Sequence, residues 1–362
     1  MAVSLSTFSF NAVPRFSGWI ILAKNYHLMK VLFVVSGNNK HYDIAPFIRR
    51  QGDSLIAEGI ELYYFEIKGR GALGYLKNVR RLKKNIHVNH YDIVHAHYSF
   101  CGWVAVLTGT RLPIVLSLMG DDATGTYIGE NKIGLKSRFL TYLTWTIQPL
   151  VDAIICKSAN IESIVYRKKI SQIIPNGVWL DQFIPDKNGF RDKLGLQADK
   201  RYILFLGDKA DIRKNYRLTA AAVEILGRSD IELISPFHIN HTQVVEYLNS
   251  VDVFVLCSFS EGSPNAVKEA MACNCPMVVT NVGDTAWLIG NTEGCYMASF
   301  DPADFAEKLS LALMFAEKKG RTKGRERLVE LGLDAKQTAA RIKKVYQKLL
   351  NKNQHPIKGI TQ

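Results

Sequence analysis

Residues 251–289 constrain the fold of this chain more than any other stretch. The run VDVFVL at 251–256 is apolar without alternation, the pattern of a parallel strand covered on both faces. A small polar turn occupies 258–263. Pro264-Asn265 then opens a helix predicted to reach residue 272, with proline in the first turn, where a missing N–H costs nothing. A second apolar run at 276–280 completes one β-α-β unit, whose strand-to-helix turn is Glu261-Gly262-Ser263.

Such a turn presents free backbone N–H groups and the positive end of a helix dipole, which together suit a phosphate. It also carries a carboxylate, Glu261, and a second, Glu269, stands eight residues on. A carboxylate repels phosphate but accepts hydrogen bonds from hydroxyls. Two of them flanking one anion cradle fit a ligand with hydroxyls on both sides of a diphosphate, as in a nucleotide-sugar. The residues alone leave a second account open, an ordinary β-α-β unit with two solvated glutamates.

The same alternation of strand-like and helix-like runs continues along the chain and argues for parallel α/β architecture. Strands are predicted at 31–35, 60–65, 93–96, 114–118 and 153–156, with helices at 44–58, 73–85, 102–109 and 137–151 between and around them. A fresh set begins with a strand at 202–206, followed by helix 216–226, strand 231–234 and helix 242–249. The length of 362 residues suits two cores rather than one. Pro175-Asn176-Gly177-Val178 and Phe183-Ile184-Pro185-Asp186 make a turn-rich boundary between the halves.

The net charge is +13, which favours an anionic partner. Residues 68–84 hold seven of the basic side chains (Lys68, Arg70, Lys77, Arg80, Arg81, Lys83, Lys84), with no acid between Glu66 and Asp92. Tyr75, Leu76, Val79 and Leu82 interleave with them at helical spacing, so a basic amphipathic helix facing an anionic membrane surface is expected, with a solvated face as the plainer account. No nucleic-acid-binding module is apparent, and nucleic acid is not an expected partner. The six cysteines lack zinc spacing and read as reduced, mostly buried thiols of a cytosolic protein. No apolar run is long enough to cross a bilayer. Met29 followed by an apolar strand and Gly37 reads as a natural start, leaving 1–28 as a poorly ordered extension.

Glu261-x7-Glu269 within EGSPNAVKEAMA resembles the E-x7-E signature of the retaining GT-B glycosyltransferases, glycosyltransferase family 4 or "group 1". The resemblance implies two Rossmann-like α/β domains facing a cleft. Glu261 would contact the transferred sugar and Glu269 the ribose, with Gly262, Ser263, Pro264, Asn265 and Ala266 around the diphosphate. In the loop after strand 202–206 the family places Arg directly after a glycine, then Lys before Gly or Asn. Lys214-Asn215 matches the second element, whereas Asp208 occupies the Arg position, so Lys209 or Arg213 is expected to supply that charge. Gly120-Asp121-Asp122 resembles the family's His-Gly-Ser-Asp motif. Met119 stands where the His would be, which excludes a catalytic His there, and Asp122 is expected to contact sugar or acceptor hydroxyls. Gly37 resembles the family's glycine loop near the ligands. His95 and His97, two apart on a strand, read as packing with one of them facing the cleft.

The resulting expectation is an extension (1–28), an acceptor domain (29–185), a donor domain (186–334), a helix crossing back to the first domain (335–350) and a tail (351–362). The chain would move a sugar from a nucleotide-sugar to a hydroxyl of a lipid-linked or oligosaccharide acceptor, with retention, for surface polysaccharide or glycolipid assembly at the inner face of the cell membrane. Glu261, Lys214, Arg213 and Asp122 would carry catalysis, and no metal or cofactor is expected. A nucleotide-sugar epimerase on the same fold, or a membrane- or glycan-binding protein on a degenerate scaffold, are the alternatives.

Overall fold

The computed structural model describes residues 28–38, 42–130, 132–186 and 190–354. The expected extension therefore lies outside the described residues except for Leu28.

Eight strands belong to the first half of the described chain: β1 (Lys30–Ser36), β2 (Glu61–Ile67), β3 (Ile93–His97), β4 (Ile114–Leu118), β5 (Tyr127–Gly129), β6 (Lys132–Ile133), β7 (Ala153–Cys156) and β8 (Ser171–Ile173). Six form one parallel sheet in the order β2-β1-β3-β4-β7-β8, while β5 and β6 make a small antiparallel pair. The second half holds β9 (Arg201–Phe205), β10 (Ile231–Ile234), β11 (Val253–Leu256), β12 (Met277–Thr280) and β13 (Cys295–Ala298), parallel in the order β10-β9-β11-β12-β13. Helices cover both faces of each sheet, which is why the central strands read as unbroken apolar runs. Val31 to Val35 and Val253 to Val255 are at most 1% exposed.

Strand order decides where a ligand can sit. The direction of winding reverses between β1 and β3 in the first sheet and between β9 and β11 in the second. Loops leaving adjacent strands at such a reversal diverge and leave a crevice at the strand C-terminal ends. The segments after β9 and β11 carry Lys214 and Glu261, so the two stretches singled out by sequence converge at one crevice.

Three features differ from the sequence expectation. Residues 68–84 do not form one helix: Gly71–Leu76 and Val79–Asn89 are separate. The break is held by Asn78, whose buried amide donates to Lys68 O at 2.9 Å and Gly74 O at 2.8 Å. Ser171–Ile173 and Cys295–Ala298 are edge strands too short to stand out by periodicity. The last helix, Ala335–Gln354, runs past residue 350 into the expected tail. Its Ala339, Ile342, Val345 and Tyr346 join Val31, Phe33, Val35 and Ile155 in one core, so this helix is built into the first domain. The chain enters this helix beside a bridge between Val178 and Asp334.

Candidate functional site

The turn after β11 is pressed directly against the first domain. A Cβ added at Gly262 would lie 2.3 Å from Met119 O and 3.2 Å from Ile161 Cδ1, so only glycine fits there. Asn160 Nδ2 of the first domain donates to Gly283 O at 2.7 Å from the same side. These contacts set the width of the cleft. Helix Asn265–Ala272 begins immediately beyond, with Pro264 in extended backbone as its N-cap, and its first-turn amides are those an intrahelical bond cannot use.

Within the crevice, Glu261 Oε1 accepts from Lys214 Nζ at 2.6 Å and from Ser258 Oγ at 2.8 Å. Lys214 ends a short turn, Ile212–Lys214, that Asp211 caps through its side chain and that tucks under β11 where Phe259 N donates to Arg213 O. One cavity of about 310 Å3 is lined by Lys214, Glu261, Gly262, Ser263, Pro264, Asn265 and Ala266 from the second domain, with Phe47, Met119 and Lys157 from the first. A second, of about 220 Å3, shares Phe47, Asn176 and Asn265 with it and contains Glu269, Lys268, His241 and Arg50. Glu261 and Glu269 therefore stand in adjoining parts of one cleft, with the helix start between them.

Glu269 keeps 13% of its side chain exposed, and its partial burial pushes its carboxyl up against the opposing pull of Arg50 and Lys268. His241 Nδ1 lies 4.0 Å from Glu269 Oε1. Burial, with the nearby Arg50 charge, lowers that imidazole to about 4, so it is neutral around pH 7 and the cations facing Glu269 are Arg50 and Lys268.

Other expected site residues sit elsewhere or are already engaged. Asp122 is a correction: it is fully buried, and its carboxylate accepts from Met119 N (2.9 Å), Gly120 N (3.1 Å), Ser99 N (3.0 Å) and Ser99 Oγ (3.2 Å). It ties the loop to the N-terminus of helix Ser99–Leu107, whose own N-cap Tyr98 offers no side-chain bond, and has no acceptor left for a ligand. Its neighbour Asp121 faces the second domain instead, accepting from Arg213 Nη1 at 2.9 Å. Burial raises the Asp121 carboxyl, and Arg213 opposes the shift. Arg213 is also gripped by both oxygens of Asp211. It bridges the domains rather than standing free for a diphosphate. Lys209 is exposed and lies over the Tyr216 ring at 4.8 Å, outside the cavity lining. Gly37 N bonds Ile67 O, continuing the β1–β2 ladder, and lines neither cavity.

Both histidines of β3 are buried. His95 bonds Tyr346 OH at 2.6 Å and Ser117 Oγ at 2.8 Å, and His97 stacks on it at 4.3 Å between centroids. Burial pushes both well below the ordinary histidine range, and neither faces the cleft. Among the described residues no group of three or more His, Cys, Asp or Glu could hold a metal ion. All six cysteines are free.

Four ionisable cleft residues escaped the sequence reading: Arg50, Lys157, His241 and Lys268. Lys157 directly follows β7, and the rule that strand C-terminal ends line the cleft would have found it. Lys268 sits inside the E-x7-E stretch itself. Arg50 and His241 carry no local signal; helix packing alone brings them to Glu269.

The family described as Glycosyltransferase Family 4 matches residues 38–182, and Glycosyl transferases group 1 matches residues 200–314, one on each domain. The chain is 25% identical over 305 residues to D-inositol 3-phosphate glycosyltransferase 2 of Catenulispora acidiphila, covering 70% of this chain and 67% of that protein. It is 28% identical over 225 residues to the putative teichuronic acid biosynthesis glycosyltransferase TuaC of Bacillus subtilis, covering 55% of each, so the match spans about half of that relative. Sucrose-phosphate synthase from Thermosynechococcus elongatus shares the fold with a TM-score of 0.74 at 18% identity, covering 90% of this chain and 99% of that one. The chain belongs to the glycosyltransferases of group 1 and family 4 and has their GT-B fold of two parallel α/β domains about a cleft.

Proposed function

We propose that this glycosyltransferase moves a sugar from a nucleotide-sugar to a hydroxyl of a lipid-linked or oligosaccharide acceptor, with retention of anomeric configuration and without a metal. The observation that carries this reading is the placement of Glu261 with Lys214, and Glu269 with Arg50, at the two ends of one cleft with the helix start between them. In this reading the diphosphate lies on the amides of residues 262–266. Lys214 stabilises the charge that develops as the sugar C1–O bond breaks. Glu261 orients the sugar through its hydroxyls, and Glu269 takes the ribose. The acceptor oxygen bonds C1 on the face the phosphate leaves, and its proton passes to the departing phosphate oxygen. The tight seam at Gly262 keeps bulk water away from that step.

A surface-polysaccharide acceptor fits the TuaC relative's description and the +13 net charge. No helix among the described residues is long and apolar enough to cross a membrane. Of the four apolar residues of the expected membrane helix, Tyr75, Val79 and Leu82 pack on the first-domain core, while Leu76 stays exposed. Attraction to an anionic surface is thus assigned to exposed Arg80, Arg81, Lys83 and Lys84, together with Phe139, Tyr142 and Trp145, which helix Leu135–Ile147 exposes on the same domain. Co-sedimentation with anionic vesicles, lost at high salt, tests this part.

The donor site is tested by titrating UDP, GDP, ADP and their sugars into the protein. Saturable binding of one nucleotide, weakened about tenfold or more in Glu269→Ala, is expected from loss of a charge-assisted bond to a ribose hydroxyl. Absence of binding to all of them refutes it.

A further inference from the structure

Two lysines are buried at the cleft, and one of them, Lys157, has no carboxylate to balance it. Lys157 leaves β7 of the first domain and is 2% exposed; Lys268 belongs to helix Asn265–Ala272 of the second and is 1% exposed. Lys157 Nζ donates to Gln51 Oε1 at 3.1 Å. Lys268 Nζ donates to Asn176 O at 2.8 Å and Ser263 Oγ at 3.1 Å. An ammonium has three donors, so both retain unspent ones, Lys157 the more. The carboxylates of Asp284 and Glu269 act on Lys268. The charges acting on Lys157 are the repelling Lys268 ammonium and the weakly acidic Cys156 thiol.

An ammonium held this way is costly, and a hydrophobic side chain of similar length would pack there with less penalty. Position gives the reason. Lys157 lines the same cavity as Glu261, Gly262, Ser263 and Lys214, but enters it from the opposite domain. The other candidates for a second cation are spent: Arg213 on Asp211 and Asp121, Lys209 on the Tyr216 ring, and Asp208 stands where a basic residue was expected.

We propose that Lys157 is a first-domain contact for the donor's diphosphate, gripping it from the side opposite Lys214 and the 262–266 amides. The inference rests on the nucleotide-sugar reading and goes beyond it, because it makes diphosphate binding depend on both domains. Lys268, holding Asn176 O and Ser263 Oγ together, positions the turn that the phosphate meets.

The protonation chemistry is consistent. Burial first, then Lys268, lowers Lys157 to about 7, and burial lowers Lys268 to about 8. The remaining groups around Lys157 are His95 and His97 of β3, Cys156 of its own strand and Gln51 of helix Pro46–Ala57; both imidazoles are held neutral by burial. A diphosphate would draw a proton onto Lys157, so donor affinity should fall as pH rises from 7 to 9.

The test is calorimetric titration of the full-length protein with the nucleotide-sugar that binds it, comparing wild type with Lys157→Met and Lys157→Gln. The expected result is a Kd raised about tenfold or more, the loss of one charge-assisted contact, with a Tm equal to or above wild type for Lys157→Met. The fall in affinity between pH 7 and 9 should be shallower in both variants. A Kd within about twofold of wild type in a folded variant, or an unchanged pH slope, overturns the inference while leaving the donor site standing. If wild type binds no nucleotide-sugar, the functional reading fails and takes the inference with it. If Lys157→Met does not fold, Lys157→Gln, which keeps an amide for Gln51, gives the decision.

Discussion

Two strand-to-helix turns meet across the cleft, one after β4 and one after β11, and they are alike in almost everything except what their carboxylates are free to do. Each follows a short buried strand, each places a glycine at the domain seam, and each carries an acid. Glu261 in the second-domain turn keeps 18% of its side chain exposed and is met by one lysine and one serine. Asp122 in the first-domain turn is sealed and meets four donors from its own domain. The same residue chemistry is thus left open to a ligand in one turn and committed to the architecture in the other. What separates them is the number of donors already assigned to the carboxylate, a property of the folded chain that the motif does not state.

The contrast can be broken by removing each acid and reading activity and stability separately. Glu261→Gln keeps the size of the side chain and removes its charge. Turnover is expected to fall at least about a hundredfold, the scale for losing one preorganised polar contact to the reacting group, while Tm stays within the error of wild type. Normal turnover would place Glu261 among the solvated residues that the bare sequence allowed. The pairing with Lys214 sharpens the expectation, since the amide leaves that ammonium without its anion and a diphosphate can take its place. Donor affinity should therefore change far less than turnover.

Asp122→Ala should show the reverse pattern. It strands the amides of Met119, Gly120 and Ser99 in a dry site, and leaving buried donors unpaired costs on the order of 3 kcal/mol in total. Denaturant unfolding is expected to show that loss, and any fall in activity should be recovered by cooling or by ligand, which favours the folded state. A variant that unfolds like wild type yet cannot turn over would return Asp122 to the ligand.

The same distinction explains how much was legible beforehand. The second domain could be read closely, because a parallel strand buried on both faces leaves an unbroken apolar run and because Pro264 and the E-x7-E spacing mark the helix start. Lys214 was legible by its place after β9. Arg213 was not: the sequence shows its charge but not that Asp211 and Asp121 fold around it. Asp121 and Asp122 are adjacent and chemically alike, yet a helical turn sends one into the core and one across the cleft. Arg50 and His241 reach the site through the packing of helices far apart in sequence, where periodicity carries no information. The basic stretch 68–84 was right in its charge and wrong in its continuity, since Tyr75, Val79 and Leu82 serve the core and Asn78 breaks the helix.

The smallest effect belongs to the contact that joins the two halves of the comparison. Arg213 Nη1 and Asp121 Oδ2 are 2.9 Å apart across the domain boundary, with side chains 44% and 35% exposed. An ion pair that open to solvent contributes under about 1 kcal/mol, since solvent screens it and Asp211 still holds the arginine when Asp121 is gone. Asp121→Ala should therefore shift Tm only slightly, and the difference from wild type should vanish as salt is raised, because screening removes the pair from both proteins. The seam at Gly262 and the bond from Asn160 to Gly283 would continue to hold the domains together, so scattering profiles of the two proteins should superimpose. A large, salt-independent loss of stability, or an expanded scattering profile, would mean that this pair rather than the glycine seam sets the width of the cleft.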